Sequence, residues 1–191
     1  VVNCGFILEL ALNDGVFRKT GERLGLPTGD PRSFTSFEQV REAFMRQFRY
    51  MMRATFAFKN ADMEMFGTHS ACPLLSSLYP VCFDRGIDIY QGGTYPQLSH
   101  TTGLGCLANI GDSLAAIKKV VFDDKKITMQ RLCDALDANY EGYEDVLHFV
   151  TKAPKFGNDD DYVDLLLRGI LTDMCHFIKQ FKIYKNARNS C

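Results

Sequence analysis

Apolar residues recur every three or four positions along most of the chain, which is the period of an amphipathic helix. Ser36 precedes the longest of these stripes and, with Gln39 three residues later, matches a capping box at a helix start. We therefore predict a long helix that begins here, runs into the low 60s and is buried along one side. The apolar positions of this stripe are Phe37, Val40, Phe44, Phe48 and Met51.

Glycine and proline divide the remaining stripes into shorter helices. A helix is predicted to begin near Pro73, to be interrupted at Pro80 and to end at Arg85-Gly86, because proline fits a first helical turn and disrupts an interior one. A loop is predicted over 20–31, where glycines and prolines are dense. Further helices are predicted over 6–12, 104–121, 128–136, 143–152 and 160–181.

One short segment has the alternation of a strand. Ile87-Asp88-Ile89-Tyr90 is predicted to be extended and to be cut off by Gly92-Gly93. Helices thus predominate, with one or two strands, and the fold class indicated is a mostly helical α/β fragment. The chain contains no internal repeat and no low-complexity tract.

The composition is that of a globular protein. The 191 residues are 46% hydrophobic and 24% charged, which excludes intrinsic disorder. A formal net charge of −1 excludes a bulk basic surface for nucleic acid or anionic lipid. No apolar run approaches the roughly 20 residues that a membrane-spanning helix needs.

Seven cysteines, an odd number, occur without any Cys-x-x-Cys pair and without a histidine at zinc-ligand spacing. Several stand in apolar helical patterns, where a free thiol behaves as a small hydrophobic side chain. This usage favours a reducing compartment over a disulfide framework and predicts a cytoplasmic protein. Because the chain begins at Val1 rather than at a methionine, we expect it to be a piece of a longer protein.

Three motifs each have a chemical and a structural interpretation. Gly103-Leu104-Gly105 begins a predicted helix like a dinucleotide-binding turn, but position 108 is alanine, so close helix packing is favoured over phosphate binding. Residues 158–161 lack the ligand spacing of a calcium loop and are interpreted as a helix cap. His148 and His176 lie in predicted helices and are interpreted as surface or packing residues.

The best candidate for ligand contact is the polar cluster after the Gly92-Gly93 turn. Loops that follow strand ends in α/β scaffolds are where ligands usually bind. A loop held by its own hydrogen bonds explains the same residues, and the sequence leaves both interpretations open. The polar residues are Thr94, Tyr95, Gln97, Ser99, His100 and Thr101.

Several stretches, in one order over nearly the whole chain, match a known family. Residues 6–15 (FILELALNDG) are similar to a family helix that ends in Leu-Asn-Asn-Gly, and the most specific matches are 111–122 (GDSLAAIKKVVF) and 155–164 (KFGNDDDYVD). Together they resemble the glycyl radical enzymes, the family of pyruvate formate-lyase and its dehydratase and decarboxylase relatives. Residues 28–34, 73–78, 85–88 and 92–93 match the same family.

The resemblance implies a ten-stranded α/β barrel built from two half-barrels, of which residues 1–191 form an internal part of a single barrel domain. It implies a glycyl radical that a partner enzyme installs with S-adenosylmethionine and an iron–sulfur cluster. That radical generates a cysteine thiyl radical, which abstracts hydrogen from a small organic substrate. The resemblance also implies an anaerobic, cytoplasmic homodimer.

The two radical-bearing loops of the family are expected outside this chain. The Gly-Cys-x-Glu loop would lie before Val1 and the Arg-Val-x-Gly-Tyr loop beyond Cys191, so we assign no catalytic residue and no metal ligand, and expect the chain alone to be inactive. Tyr95, Gln97 and His100 are expected to face the substrate cavity. Decarboxylase, dehydratase and formate-lyase chemistry all stay open for the parent enzyme. The alternative is a non-catalytic truncated homologue that acts as a helical scaffold or interaction module.

Overall fold

The computed structural model describes residues 1–94 and 103–181, and helices dominate this part of the chain. Strands β1 (Val2–Asn3) and β2 (Leu104–Gly105) are short, and a π-helical turn, Lys118–Asp123, continues α5. Within the described residues, 3₁₀ turns cover Pro31–Ser33 and Ile89–Gln91. The α-helices are α1 (Cys4–Ala11), α2 (Phe37–His69), α3 (Pro73–Ser77), α4 (Pro80–Arg85), α5 (Leu107–Ile117), α6 (Met129–Asp137), α7 (Glu144–Lys152) and α8 (Asp161–Ile178).

The chain folds into two compact units. The first unit contains Val1–Met51 and Leu104–Met174, and the second contains Met52–Gly103 and Cys175–Cys191. The single barrel domain expected from the sequence concerns the intact protein and stays a prediction. Among the helices described, none combines the length and apolar character needed to span a bilayer.

The two strands of the first unit pair in parallel, with Val2 opposite Leu104 and Asn3 opposite Gly105. Each strand leads directly into a helix, as in α/β folds. Asn3 caps the first of these helices, because its Oδ1 accepts a hydrogen bond from the Phe6 N–H at 3.2 Å. The prediction that the helical stripe includes Leu104 is wrong: Leu104 pairs with a strand about 100 residues earlier, and α5 begins only at Leu107.

The core of the first unit confirms the predicted apolar stripes. Val40, Phe44 and Phe48 of α2 are completely buried, and burial of each large side chain contributes roughly 1.5–3 kcal/mol. The helix itself continues to His69, further than the low 60s predicted. Helix α8 contributes Val163, Leu167, Ile170 and Met174 to the buried residues.

The loop before α2 is held by two buried or half-buried polar side chains of the first unit. Oδ1 of Asp14 accepts hydrogen bonds from the N–H groups of Thr28 and Gly29, at 2.7 and 2.8 Å. Gln47 is completely buried, accepts from the Leu26 N–H at 3.0 Å and donates to the Leu26 carbonyl at 2.6 Å. These side chains therefore hold the segment predicted to lack regular structure, together with backbone hydrogen bonds from the Leu24 and Gly25 N–H groups to the Gly15 carbonyl.

In the second unit, the predicted helix boundaries are confirmed. Pro73 and Pro80 each stand in the first turn of a helix, and Gly86 ends α4 in the left-handed conformation. The strand predicted over 87–90 is wrong. Oδ1 of Asp88 accepts from the Tyr90 N–H at 2.9 Å and thereby starts a 3₁₀ turn. This local hydrogen bond favours the turn more strongly than an alternation of only four residues favours a strand.

Candidate functional site

The residues predicted to contact substrate, Tyr95, Gln97 and His100, lie outside the described part of the chain. The described chain reaches Thr94, which is buried, and resumes at Gly103, one residue before β2. The described backbone before the candidate residues is the segment 85–94. It is organised by Asp88, by Arg85 and by the close packing of Gly93.

Asp88 joins three parts of this segment. Its Oδ2 accepts hydrogen bonds from the Cys72 N–H and from the Ser76 hydroxyl, both at 2.8 Å, while Oδ1 accepts from the Tyr90 N–H. The Ser76 oxygen in turn accepts from the Ile89 N–H at 2.9 Å. One carboxylate and one hydroxyl thus tie the start of α3 to the 3₁₀ turn.

The protonation of Asp88 supports this role. Partial burial acts to raise the pKa of the carboxyl group, but hydrogen bonds from Tyr90, Ser76 and Cys72 outweigh it, so the pKa lies below its ordinary value. The group is therefore an anion at neutral pH and accepts all three bonds at once. It positions backbone, and its lowered pKa makes it a poor general base.

The glycine pair before the candidate residues is held by hydrogen bonds and by close packing. The Arg85 guanidinium donates to the carbonyl oxygens of Gly92 and Gly93, at 3.2 and 2.9 Å. A Cβ atom at Gly93 would lie 2.3 Å from the Ile87 carbonyl oxygen, a distance that no side chain tolerates. Glycine is therefore required at position 93.

The anchoring roles of Asp88, Ser76 and Arg85 were not predicted from the sequence. The turn signal was present, because an aspartate two residues before a backbone N–H commonly caps a turn. The contribution of Ser76 carried no local signal, since it lies 12 residues from the carboxylate that it contacts. The Arg85 contacts to Gly92 and Gly93 likewise depend on the fold of the segment.

A second candidate is a cavity of about 430 Å³ among α1, α5, α6 and α7 of the first unit. The Arg18 guanidinium lines the cavity but is engaged within the protein, since it donates to Asp137 at 2.7 Å and to the Leu12 carbonyl at 2.6 Å. Tyr140 also lines it, and burial raises the pKa of that phenol, which stays protonated. The cavity thus offers an apolar binding surface. Its aliphatic walls include Leu8, Leu12, Ile117, Leu132, Leu136 and Val150.

Structural interpretations are confirmed for the acidic motif and the histidines. Oδ1 of Asp160 accepts from the Tyr162 N–H at 3.0 Å at the start of α8, so Asp160 of the acidic motif caps the helix. Within residues 1–94 and 103–181, no group of three or more His, Cys, Asp or Glu side chains could hold a metal ion. His148 and His176 are both exposed on helix surfaces.

Sequence comparison places the chain among known proteins. The pyruvate formate lyase-like family model matches residues 1–191. Trans-4-hydroxy-L-proline dehydratase of Clostridioides difficile is 42% identical over 170 residues, which cover 88% of this chain and 21% of that protein. Isethionate sulfite-lyase of Bilophila wadsworthia is 40% identical over 168 residues, covering 85% of this chain and 20% of that protein.

Solved structures give the same result. Hydroxyproline dehydratase from Clostridioides difficile, with trans-4-hydroxy-L-proline bound, matches 97% of this chain with a TM-score of 0.89 and 35% identity. A glycyl radical enzyme from Archaeoglobus fulgidus matches 98% with a TM-score of 0.84 and 26% identity. Both alignments cover 24% of the solved chain. The chain thus spans about a fifth of the length of the curated relatives and about a quarter of these solved chains.

Proposed function

Because the chain belongs to the pyruvate formate lyase-like family, we propose that it forms part of a glycyl radical lyase that removes a heteroatom group from a small organic substrate. The fold prediction, a mostly helical part of a glycyl radical enzyme α/β barrel, is confirmed. The observation that carries the proposed reaction is the identity of 42% to a dehydratase and 40% to a sulfite-lyase. Both names describe elimination, of water in one case and of sulfite in the other.

The radical supplies hydrogen abstraction from an unactivated carbon, and we place the residue that bears it outside this chain. The chain itself contributes barrel wall and backbone positioning. Burial raises the pKa of the Cys4 and Cys133 thiols to about 11, so both are protonated at neutral pH. We assign neither as the thiyl residue, because neither stands in a Gly-Cys-x-Glu sequence.

Tyr95, Gln97 and His100 are the proposed substrate contacts. Their side chains supply a phenol, an amide and an imidazole, which suit a small polar substrate with hydroxyl, carboxylate or sulfonate groups. The support from the structure is indirect: Asp88, Arg85 and Gly93 hold the backbone immediately before Tyr95. Binding sites need such support, because a loosely held contact loses both affinity and rate.

The partners of the intact enzyme follow from the family. We propose that a radical S-adenosylmethionine enzyme with an iron–sulfur cluster activates it and that the intact protein is a homodimer. A cytoplasmic, anaerobic setting is proposed on the same ground. None of these partners is assigned a contact residue in this chain.

The test of the reaction uses the intact protein after anaerobic treatment with its activating enzyme. Electron paramagnetic resonance measures the glycyl radical, and mass spectrometry follows trans-4-hydroxy-L-proline, isethionate, glycerol, pyruvate with coenzyme A, and 4-hydroxyphenylacetate. We expect a radical signal and elimination of water or sulfite from at least one of the first three. Formate or carbon dioxide release alone would contradict the elimination chemistry, and a protein that acquires no radical would be the non-catalytic scaffold.

The test of the site compares Tyr95→Phe, Gln97→Ala and His100→Ala with His148→Ala, an exposed histidine on α7. We expect each of the first three to change KM, or the ratio of kcat/KM between two substrates, by at least about tenfold, which corresponds to about 1.4 kcal/mol. His148→Ala should leave both quantities unchanged. Unchanged kinetics in all three would remove these residues from the site.

A further inference from the structure

Two cysteines follow directly after the paired strands of the first unit. The last paired residues of β1 and β2 are Asn3 and Gly105, and the next residue in each chain segment is a cysteine. Cys4 is the first residue of α1, and Cys106 adopts the left-handed conformation (φ +64°) just before α5, so each cysteine stands where its strand ends. The segments stay close after the strands end, because a Cβ atom at Gly5 would lie 3.9 Å from Cβ of Cys106.

The backbone spacing suits a covalent bond between the two sulfur atoms. The strands that end one residue before the two cysteines lie about 4.8 Å apart, as neighbouring strands do, and the Cα atoms of disulfide-bonded cysteines are usually about 4.4–6.8 Å apart. Both residues are free thiols in this structure. Oxidation would therefore join two positions that the fold already holds side by side.

The two thiols differ in access to solvent. Cys4 is completely buried, whereas Cys106 is exposed at the start of α5. Burial, and to a smaller extent the nearby Cys106, raises the pKa of Cys4 to about 11. An oxidant from solvent therefore meets Cys106 first, and Cys4 is the buried thiol that can resolve the product.

We propose that Cys4 and Cys106 form a reversible oxidation site, at which a peroxide converts two thiols into one disulfide. The Cys106 thiolate attacks a peroxide oxygen, the O–O bond breaks, and a sulfenic acid and water form. The Cys4 sulfur then attacks the Cys106 sulfur, the S–O bond breaks, and the Cys4 proton leaves with the hydroxyl group as a second water. Hydrogen peroxide gains the two electrons that the sulfur atoms lose.

This site is independent of the proposed lyase activity. A disulfide here would tie the ends of β1 and β2 to each other at the starts of α1 and α5. In a reducing compartment it forms transiently, because low-molecular-weight thiols reverse it. The bond would lock the strand pair in one arrangement until the oxidant is removed.

The experiment uses the intact protein, purified without oxygen and left unactivated. It is treated with equimolar hydrogen peroxide, its remaining thiols are alkylated with iodoacetamide, and its peptides are mapped by mass spectrometry. We expect a cross-linked peptide pair that joins Cys4 to Cys106, forms only after peroxide treatment and disappears after reduction. Cys72, a half-buried free thiol in the second unit, serves as the internal control and should remain alkylated.

Three variants separate the proposal from simple surface oxidation. Cys106→Ser should abolish the cross-link, and Cys4→Ser should leave a Cys106 sulfenic acid that dimedone traps in a higher yield than in the parent. Cys72→Ser should retain the full cross-link. The proposal is overturned if the parent protein forms Cys106 sulfinic acid or an intermolecular disulfide while Cys4 stays reduced.

Discussion

Two segments, residues 13–33 of the first unit and 72–94 of the second, use the same device in different settings. Each is organised by one aspartate that accepts several hydrogen bonds. Asp14 binds the N–H groups of Thr28 and Gly29, and Asp88 binds the Cys72 N–H, the Ser76 hydroxyl and the Tyr90 N–H. In each segment, a single carboxylate thus holds backbone groups that lie 14 or more residues away along the chain.

The two segments differ in what surrounds the carboxylate. The first is supported by completely buried Gln47, and by Arg32, which pairs with Asp134 at 3.1 Å and with Asp137. The helices of the second segment instead present large apolar side chains to solvent. Leu74, Leu78 and Phe83 are 78%, 71% and 71% exposed, respectively.

This difference indicates how much independent support each segment has within its own unit. Loss of one contact in 13–33 leaves Gln47 or the Arg32 ion pairs in place. The segment 72–94 depends on Asp88, Arg85 and the packing at Gly93, with little buried apolar surface to compensate. Segments with few buried contacts open locally at lower free energy, so the segment that leads to the proposed substrate residues is the one that opens more easily.

The largest expected effect comes from Gly15→Ala, with Gly93→Ala as its counterpart. Gly15 has φ +77°, and a Cβ atom there would lie 2.3 Å from the Leu26 carbonyl oxygen. Overpacking and a left-handed alanine together should lower the free energy of unfolding by about 3–4 kcal/mol. A Cβ atom at Gly93 would meet an equally close carbonyl oxygen, but Gly93 is not in the left-handed conformation. We therefore expect Gly93→Ala to lower the free energy of unfolding by about 2 kcal/mol. Urea denaturation measures both.

The control for this pair is Gly169→Ala, in helix α8, where an added Cβ meets nothing within 4 Å. It should leave stability unchanged or raise it by up to about 1 kcal/mol, because alanine favours a helix interior. Equal losses for Gly15→Ala and Gly93→Ala would mean that the left-handed conformation contributes nothing to the difference.

The next effect compares Gln47→Leu with Ser76→Ala. Leucine at position 47 leaves the Leu26 N–H and carbonyl without the completely buried side chain that binds them. This should lower the free energy of unfolding by about 2–3 kcal/mol. Alanine at position 76 removes one donor from Asp88 and the acceptor of the Ile89 N–H, and should cost about 1–2 kcal/mol. Hydrogen exchange of the affected amides, combined with denaturation, measures both losses.

Ser77→Ala is the matched control, since Ser77 is exposed and its hydroxyl donates only to the Leu74 carbonyl, at 2.8 Å. It should change stability by less than about 0.5 kcal/mol. A loss for Ser76→Ala no larger than this control would contradict the role of Ser76 as a link between α3 and the 3₁₀ turn.

Local sequence signals predicted the helices well, because caps, prolines and apolar stripes act over one or two turns. Pro73, Pro80 and Gly86 each mark a boundary found in the structure. The strand pair was beyond such signals, since two-residue strands have no measurable period and their register joins Asn3 to Gly105. Of the candidate site, the sequence predicted Tyr95, Gln97 and His100, which stay a prediction.

The supports of the site were harder to predict for a physical reason. Asp88 carried two competing signals, an alternating pattern typical of a strand and an aspartate typical of a turn, and the hydrogen bond to Tyr90 decided between them. Ser76 and Arg85 act on parts of the chain that the fold brings to them. Contacts of this kind follow from tertiary structure and leave no trace in a local pattern.

The smallest expected effect, Asp88→Asn against Asp14→Asn, depends on which carboxylate oxygen accepts each bond. Both backbone N–H groups at Asp14 use Oδ1, and Oδ2 binds exposed Arg23 at 3.0 Å. Asparagine can keep Oδ1 in place there, so we expect a loss of less than about 1 kcal/mol at pH 7. Both oxygens of Asp88 accept hydrogen bonds, so the amide N–H₂ group of asparagine must face at least one hydrogen-bond donor. We expect Asp88→Asn to lower the free energy of unfolding by about 1–2 kcal/mol.

The pH dependence of this last comparison has a definite sign. Hydrogen bonds outweigh partial burial and lower the folded-state pKa of Asp88 below its ordinary value of 3.8, so its stabilisation is complete above the unfolded-state pKa and is lost as the pH falls through the folded-state value. Below that pH the wild-type group is as neutral as asparagine. The difference in unfolding free energy between wild type and Asp88→Asn should therefore shrink as the pH falls from 5 to 2. A difference that stays constant over this range would mean that the carboxylate charge contributes nothing to holding residues 72–94, and that the neutral hydrogen bonds alone separate this segment from 13–33.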